Sequence, residues 1–332
     1  MKKIIDDVRL IYKCCYLYYE ERKTQMDICR ILGLSRTSVS RMLELGRKKG
    51  IVEIKIHNPF AFHYGQLQQI LQEKYHLKEV IVVDSDPLDS FQAQQEKLCE
   101  AAFTYLTEIL RDGDYVGVSM GRTLHSITQV ETQYDFDRKN LVFVPMYGGM
   151  SQKRTNRMDV QSNRIAVEFA EKFGGDYVQF LAPAVFSSKK VKDVFLNEET
   201  IRYIYRYLNR LRIALLGIGV PKAGETGIFY ERYLDAKTLK RYLDQGAVGE
   251  SALRFYDIHG NMDPFRKFNE RVVGIEQEQL EKIEIRIGIT GGSKKADAVK
   301  GAIRANVINT LITDIACAKA MIASDDEKQM DT

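Results

Sequence analysis

The first fifty residues repeat apolar positions at helical spacing. Ile4, Val8, Ile11, Cys15 and Tyr18 recur every three to four residues, which predicts a helix over 4–19. Thr24 to Asp27 reads as a cap and first turn, with Asp27 completing a capping box, and a second helix runs to Leu32. Gly33 and Leu34 form a tight turn. Ser35 caps a third helix that reaches about Lys49, and Gly50 stops it. Residues 51–56 then alternate apolar and polar positions, the pattern of a strand in a short wing. His57-Asn58-Pro59 ends the module. A connecting helix follows over 60–75, with Leu67, Ile70, Leu71 and Tyr75 on one stripe.

From Glu79 onward the period changes. Short apolar runs at 80–83, 115–119, 141–145, 177–181, 213–216, 285–289 and 309–312 read as buried strands. Helical stretches lie between them, such as 93–110, 160–173 and 294–304. Buried strands alternating with helices imply a doubly wound, mostly parallel α/β sheet. The chain therefore divides into a helix-turn-helix domain (1–58), a linker helix (59–78), a Rossmann-like domain (79–323) and a polar tail (324–332).

Composition adds boundaries rather than detail. The chain has 332 residues, with 45% hydrophobic and 28% charged, the proportions of a globular protein. No apolar run approaches the roughly 20 residues that span a bilayer. Two N-terminal lysines are followed at once by aspartates, unlike a signal peptide, so a cytoplasmic protein is expected. Cys14, Cys15, Cys29, Cys99 and Cys317 fit no zinc spacing and no disulfide framework. No metal and no cofactor are expected. Charge is uneven: residues 1–58 hold 13 Lys/Arg and 7 Asp/Glu, whereas the rest is slightly acidic. A small basic module on a near-neutral body suits a polyanion partner.

The third helix carries the candidate DNA-reading surface. Ile28, Ile31, Leu34, Val39, Met42 and Leu43 have the spacing that packs two short helices across a glycine turn. That leaves Ser35, Arg36, Thr37, Ser38, Ser40 and Arg41 as a polar face of hydroxyls and guanidinium groups suited to a major groove. Arg47, Lys48 and Lys49 lie where phosphates would be met.

The run Leu32-Gly33-Leu34-Ser35-Arg36-Thr37-Ser38-Val39-Ser40-Arg41, with Gly50-Ile51-Val52, resembles the DNA-binding domain of SorC/DeoR-type sugar-responsive bacterial transcriptional regulators. The resemblance continues through Gly117-Val118-Ser119-Met120-Gly121-Arg122-Thr123-Leu124, Pro145-Met146-Tyr147-Gly148-Gly149 and Gln161-Ser162-Asn163. It extends over Leu181-Ala182-Pro183-Ala184, Gly217-Ile218-Gly219, Gly246-Ala247-Val248-Gly249-Glu250, Thr290-Gly291-Gly292-Ser293-Lys294-Lys295-Ala296 and Leu311-Ile312-Thr313-Asp314. It implies a large domain similar to sugar-phosphate isomerases that binds a phosphorylated sugar or polyol and so controls operator affinity. It also implies a dimer or tetramer. Two positions depart from the family pattern. Ser119-Met120 replaces a frequent Gly-Trp, and Tyr147 stands where some members carry Arg or Lys. A Schiff base with the sugar is therefore not expected, and a tyrosine would stack on a sugar or donate a hydrogen bond.

The residues themselves fit an anion and polyol site. Gly121, Arg122 and Thr123 open a helix directly after a strand, where glycine admits an anion and Arg adds charge. Gly148 and Gly291–Gly292 also follow strands, so three loops could gather at one sheet edge. Lys295 would add a cation, and Gln161 and Glu250 would meet hydroxyls. Each has a plainer reading. Strand–glycine–helix turns are common, Lys294 and Lys295 could be surface residues, Glu250 an ion-pair partner and Gln161 a local cap. Asp314 reads as the cap of the final helix.

A different class of function, an isomerase with an appended DNA-binding domain, would need an acid–base pair in the pocket. His57, His63 and His76 lie near the linker, leaving His125 and His259 without an obvious partner. For the regulator, paired DNA half-sites call for self-association. The helices over 4–19, rich in Tyr12, Tyr16, Tyr18 and Tyr19, and over 60–75 are candidate contacts.

Overall fold

The computed structural model describes residues 7–52, 64–84, 90–131, 140–149, 160–222 and 234–330. The chain forms two compact units, Met1–Ala61 and Phe62–Thr332.

In the first unit, caps fix the helix starts. Asp7 caps α1 (Val8–Tyr19). Thr24 and Asp27 form a reciprocal capping box for α2 (Gln25–Leu32), and Gly33 closes that helix in the left-handed conformation. The Ser35 hydroxyl accepts from Ser38 N–H and caps α3 (Arg36–Lys48). Ile28, Val39, Met42 and Leu43 are buried together with Ile11, Cys14, Cys15 and Leu17, so α1 completes a three-helix core. A Cβ on Gly46 would collide with the Cys15 sulfur, so α3 meets α1 at this glycine. Ile31 departs from expectation. It is 52% exposed, because α2 is packed through Ile28 and the turn places Ile31 on the outer side. Ile51 and Val52 form a bend against the core rather than the start of a strand, and residues 53–56 lie outside the described residues.

The second unit begins for description at α4 (Gly65–Tyr75). This helix is docked rather than free. Leu71 is in the main core, Gln68 accepts from Val82 N–H at 3.0 Å, and Tyr75 donates to the Met321 carbonyl at 2.9 Å. Then follow β1 (Glu79–Val83), α5 (Phe91–Ile109), β2 (Tyr115–Val118), α6 (Arg122–Thr128), β3 (Val142–Pro145), α7 (Ser162–Phe173) and β4 (Asp176–Tyr177). After them come α8 (Lys189–Phe195), α9 (Glu199–Leu208), β5 (Ile213–Gly217), α10 (Ala236–Asp244), β6 (Ala247–Ser251) and β7 (Arg254–Asp257). The unit ends with β8 (Ile285–Ile289), α11 (Ala296–Arg304), β9 (Thr310–Asp314) and α12 (Ile315–Met330).

Seven strands pair in the order β1-β9-β8-β5-β2-β3-β4, and every pairing is parallel. Alternate side chains of β5 enter two cores. Ile213 and Leu215 pack with α5 and α7, and Ala214 and Leu216 pack with the opposite layer. From β2 the chain winds toward β4, and from β5 toward β9. The order therefore reverses between β2 and β5, where a doubly wound sheet opens a crevice at its carboxyl edge.

Two elements differ from the sequence reading. The fourth strand stops after Tyr177, because Phe180 N–H is taken by the Asn163 side chain instead of the ladder. β6 and β7 form an antiparallel hairpin that periodicity does not reveal. Its two-residue turn, Ala252 and Leu253, has φ of 49° and 62°. Positive φ at both positions is type I′ geometry, which ordinarily selects Asn and Gly.

Candidate functional site

Strand ends from across the sheet converge on a cavity of about 460 Å³ at the reversal between β2 and β5. β2 delivers Met120, Gly121, Arg122 and Thr123, and β3 delivers Tyr147. Gly217 to Gly219 follow β5, and Thr290, Gly291 and Lys295 follow β8. The hairpin closes one wall with Glu250, Ala252 and Leu253, and the first turn of α5 adds Phe91, Gln92 and Gln95.

Local hydrogen bonds hold these loops. Gly121 takes φ of 131° and donates to the Val160 carbonyl at 2.9 Å, a backbone that admits only glycine comfortably. The Tyr147 side chain is buried, and its hydroxyl accepts from Met120 N–H at 2.6 Å. Burial pushes its phenol pKa up, and the nearby Glu250 adds to the rise. Ser119 accepts from Gly217 N–H, and Ser251 donates to the Gly217 carbonyl, so two hydroxyls join β2, β5 and the hairpin. Asp314 receives Gly292 N–H at 2.7 Å and Cys317 N–H at 2.8 Å. It caps α12 and clamps the loop that carries Lys295.

Lys295 Nζ donates to the Ile218 carbonyl at 2.8 Å and sits close enough to stabilise the Glu250 carboxylate. Glu250 lies over Gly219, where a Cβ would strike its carboxyl group. Burial raises the Glu250 carboxyl to about 7, against the opposing pull of Lys295 and the Leu253 N–H.

Of the sequence candidates, Gly121, Arg122, Thr123, Tyr147, Glu250 and Lys295 line this one cavity. Gly148 and Gln161 do not. A Cβ on Gly148 would overlap the Ala182 carbonyl, so this glycine serves close backbone packing. Gln161 stands at the start of α7, beside Gly149. His125 also turns away from the cavity. Its Nδ1 lies 2.9 Å from Glu168, which also accepts from Thr128 and Arg164. His259 is an exposed residue of a turn. Gly219 joins the wall from the Gly217-Ile218-Gly219 block, whereas the 252–253 turn and the α5 glutamines join it through tertiary packing, with no local pattern to mark them.

On the first unit, Ser35, Arg36, Thr37, Ser40 and Arg41 are exposed along the start of α3, and Arg47 is exposed near its end. Ser38 is half-buried. The Ser35 hydroxyl lies 2.9 Å from Thr37 Oγ1 and 2.8 Å from Ser38 Oγ, so it is committed to the cap. Among the described residues no group is placed to hold a metal ion, and no helix is long and apolar enough to cross a membrane.

A helix-turn-helix joined to a doubly wound unit, with a cavity at its switch point that gathers Arg122, Glu250 and Lys295, defines a ligand-responsive DNA-binding protein. The sugar-binding domain family matches residues 61–323. The chain is 30% identical to the sorbitol operon regulator of Klebsiella pneumoniae, over 96% of this chain and 98% of that one. It is 32% identical to the deoxyribonucleoside regulator of Bacillus subtilis, over 95% and 97%. The crystal structure of the full-length Klebsiella regulator has a TM-score of 0.70 and covers 96% of this chain and 99% of that one. The chain belongs to the SorC/DeoR-type family of sugar-binding transcriptional regulators. It is a transcriptional regulator that acts under the control of a sugar effector.

Proposed function

We propose that the cavity binds a phosphorylated sugar or polyol, and that its occupancy sets the affinity of α3 for the operator of a carbohydrate-metabolism operon. One observation carries this reading: Arg122, Lys295, Glu250 and Tyr147, far apart in sequence, share one cavity at the switch point of the sheet. Arg122 and Lys295 supply cations for a phosphate. Glu250, Thr123 and the α5 glutamines supply partners for hydroxyls. A volume near 460 Å³ suits a monosaccharide monophosphate. One relative is named for a polyol, sorbitol, and the other for deoxyribonucleosides, which contain a sugar. On the DNA side, Arg36, Thr37, Ser40 and Arg41 read bases, and Arg47 meets phosphate. The protein acts in the cytoplasm as a dimer or tetramer, since one helix-turn-helix reads few base pairs. The exposed line of Val8, Tyr12 and Tyr16 on α1 supports self-association of the first unit.

Calorimetry with sugar monophosphates and their dephosphorylated counterparts tests the cavity. Phosphorylated ligands bind, and Arg122→Ala and Lys295→Ala abolish the effector response while operator binding stays intact. Normal response in both variants removes the cavity from the mechanism. Arg41→Ala weakens operator binding severely in gel shifts, and retained binding removes α3 from it.

Glu250 favours a second reading, a sugar-phosphate isomerase. A carboxyl poised near neutrality in such a cavity is what a general base requires. Turnover of a sugar phosphate by the purified protein, lost in Glu250→Gln, decides for it.

A further inference from the structure

Helix α6 borders the cavity along one flank, where Arg122, Thr123, Leu124 and Ser126 line it. That flank has space beside it instead of packed protein. The helix has only seven residues, and its cap position is Gly121, which offers no side chain to fix the first turn. Leu124 and Ile127 are buried in one core with Ile165 and Phe169 of α7. Apolar contacts are non-directional, so they hold a short helix without fixing its rotation or its slide.

Directional contacts come from the far side of α6, from Glu168 of α7. Glu168 is only 9% exposed, and it does not line the cavity. One carboxylate oxygen meets His125 Nδ1 at 2.9 Å and Thr128 Oγ1 at 2.8 Å. The other accepts from Arg164 Nε at 2.8 Å. Arg164 belongs to α7 itself and its side chain is 55% exposed, so the two bonds that cross to α6 are those of His125 and Thr128. The start of α7 is tied down in turn. The Val160 carbonyl just ahead of it accepts from Gly121 N–H, and the Ser162 hydroxyl donates to the Tyr147 carbonyl at 3.0 Å. A buried, bonded carboxylate is often no more stabilising than an apolar residue of similar volume, so stability alone does not account for Glu168.

We propose that Glu168 is a positioning residue for the effector: it holds α6 from behind, so that Arg122 and Thr123 stand where the effector's phosphate meets them. The inference rests on the reading of the cavity as a phosphosugar site. A bound phosphate draws Arg122 toward itself, and the two crossing bonds resist the shift of the helix. Effector affinity thus depends on a side chain that touches no ligand.

Calorimetry on the full chain tests this, with a panel of aldose, ketose and hexitol monophosphates and their dephosphorylated counterparts. At metal sites, loss of a partner that orients a ligand costs about 10–100-fold in affinity, and the same scale applies to Arg122. Glu168→Gln therefore weakens monophosphate binding by about tenfold. Removing a negative charge would by itself strengthen the hold on a phosphate, so the loss reports geometry and not charge. Thr128→Val keeps volume and charge but deletes one crossing bond, and it weakens binding in the same direction by less. The dephosphorylated counterparts, read in the millimolar range, bind both variants as they bind wild type. A cooperative melt shows that each variant is folded, and Thr128→Val decides alone if Glu168→Gln is not. Unchanged or tighter monophosphate binding overturns the proposal. Equal weakening of both ligand types means a loosened domain instead of a displaced Arg122, and overturns it too. Failure of the cavity reading looks different: Arg122→Ala then binds monophosphates as wild type does, or wild type binds none. Binding that is lost in Arg122→Ala but intact in Glu168→Gln overturns only the role of Glu168.

Discussion

Glu250 is a carboxyl under opposed influences. Withdrawal from water disfavours its charge, while Lys295 and the Leu253 N–H favour it, and burial prevails. Its folded pKa, about 7, stands above the ordinary value of 4.5. A carboxyl raised in this way binds its proton more tightly when folded. Its stabilising contribution is therefore complete below about pH 4.5 and is lost as pH rises through about 7. Glu250→Gln removes the cost of an ionised buried carboxyl. The ligand-free variant is more stable than wild type at pH 8, by up to about 3 kcal/mol on the size of the shift, and the difference vanishes by pH 4.5. Thermal melts across that range check the sign, and a difference that grows toward acid contradicts it. A sugar hydroxyl prefers the carboxylate as acceptor, so effector affinity rises more steeply between pH 6 and pH 8 in the wild type than in the variant, which keeps only the slope set by ionisation of the ligand's phosphate.

The hairpin of β6 and β7 shows what element-scale reading reaches. Its turn places Ala252 and Leu253 at positive φ, which costs roughly 1–2 kcal/mol per residue without glycine. Such strain persists where the surroundings impose it, and both residues line the cavity. Replacing the pair by Asn-Gly (Ala252→Asn, Leu253→Gly) relieves the turn but empties the buried Leu253 site, a loss of about 2–5 kcal/mol, so the melting temperature falls. It also removes the Leu253 side chain from the wall and weakens effector binding several-fold. A variant that binds the effector normally would show that the turn has no part in the site. The same hairpin explains the limits of the sequence. Thr24, Asp27, Gly33 and Ser35 mark helix ends by local chemistry, and the structure carries those caps. Six apolar runs become parallel strands because burial leaves an apolar signature, whereas the seventh yields only the exposed two-residue edge strand Asp176–Tyr177. Ala252-Leu253 carries no turn signature, so the hairpin is invisible to local rules. Glu250 is recognisable from the family resemblance, but its environment is made by Gly219, Leu253 and Lys295 and exists only after folding. Gly148 misleads for the converse reason, since its lack of a side chain answers to the Ala182 carbonyl and not to a ligand.

At the scale of the whole chain, two units must communicate, and thermodynamics constrains how. The first unit bears the DNA-reading helix and the second bears the cavity. If the effector changes operator affinity by some factor, the operator must change effector affinity by the same factor, whatever contacts transmit the effect. Coupling of about 1–3 kcal/mol corresponds to a factor of roughly 5–150. Titration of the full chain with a sugar phosphate, with and without saturating operator DNA, should give the factor that gel shifts report from the other side. Salt separates the terms further. Operator affinity falls steeply with ionic strength, because the basic first unit displaces counterions from DNA. The coupling factor holds constant if bound and free effector leave the same phosphate contacts in place. A factor that shrinks with salt instead means that the effector removes phosphate contacts, and Arg47→Ala then lowers the coupling along with the salt slope. Unequal factors from the two directions would break the cycle and require a further binding event in either titration.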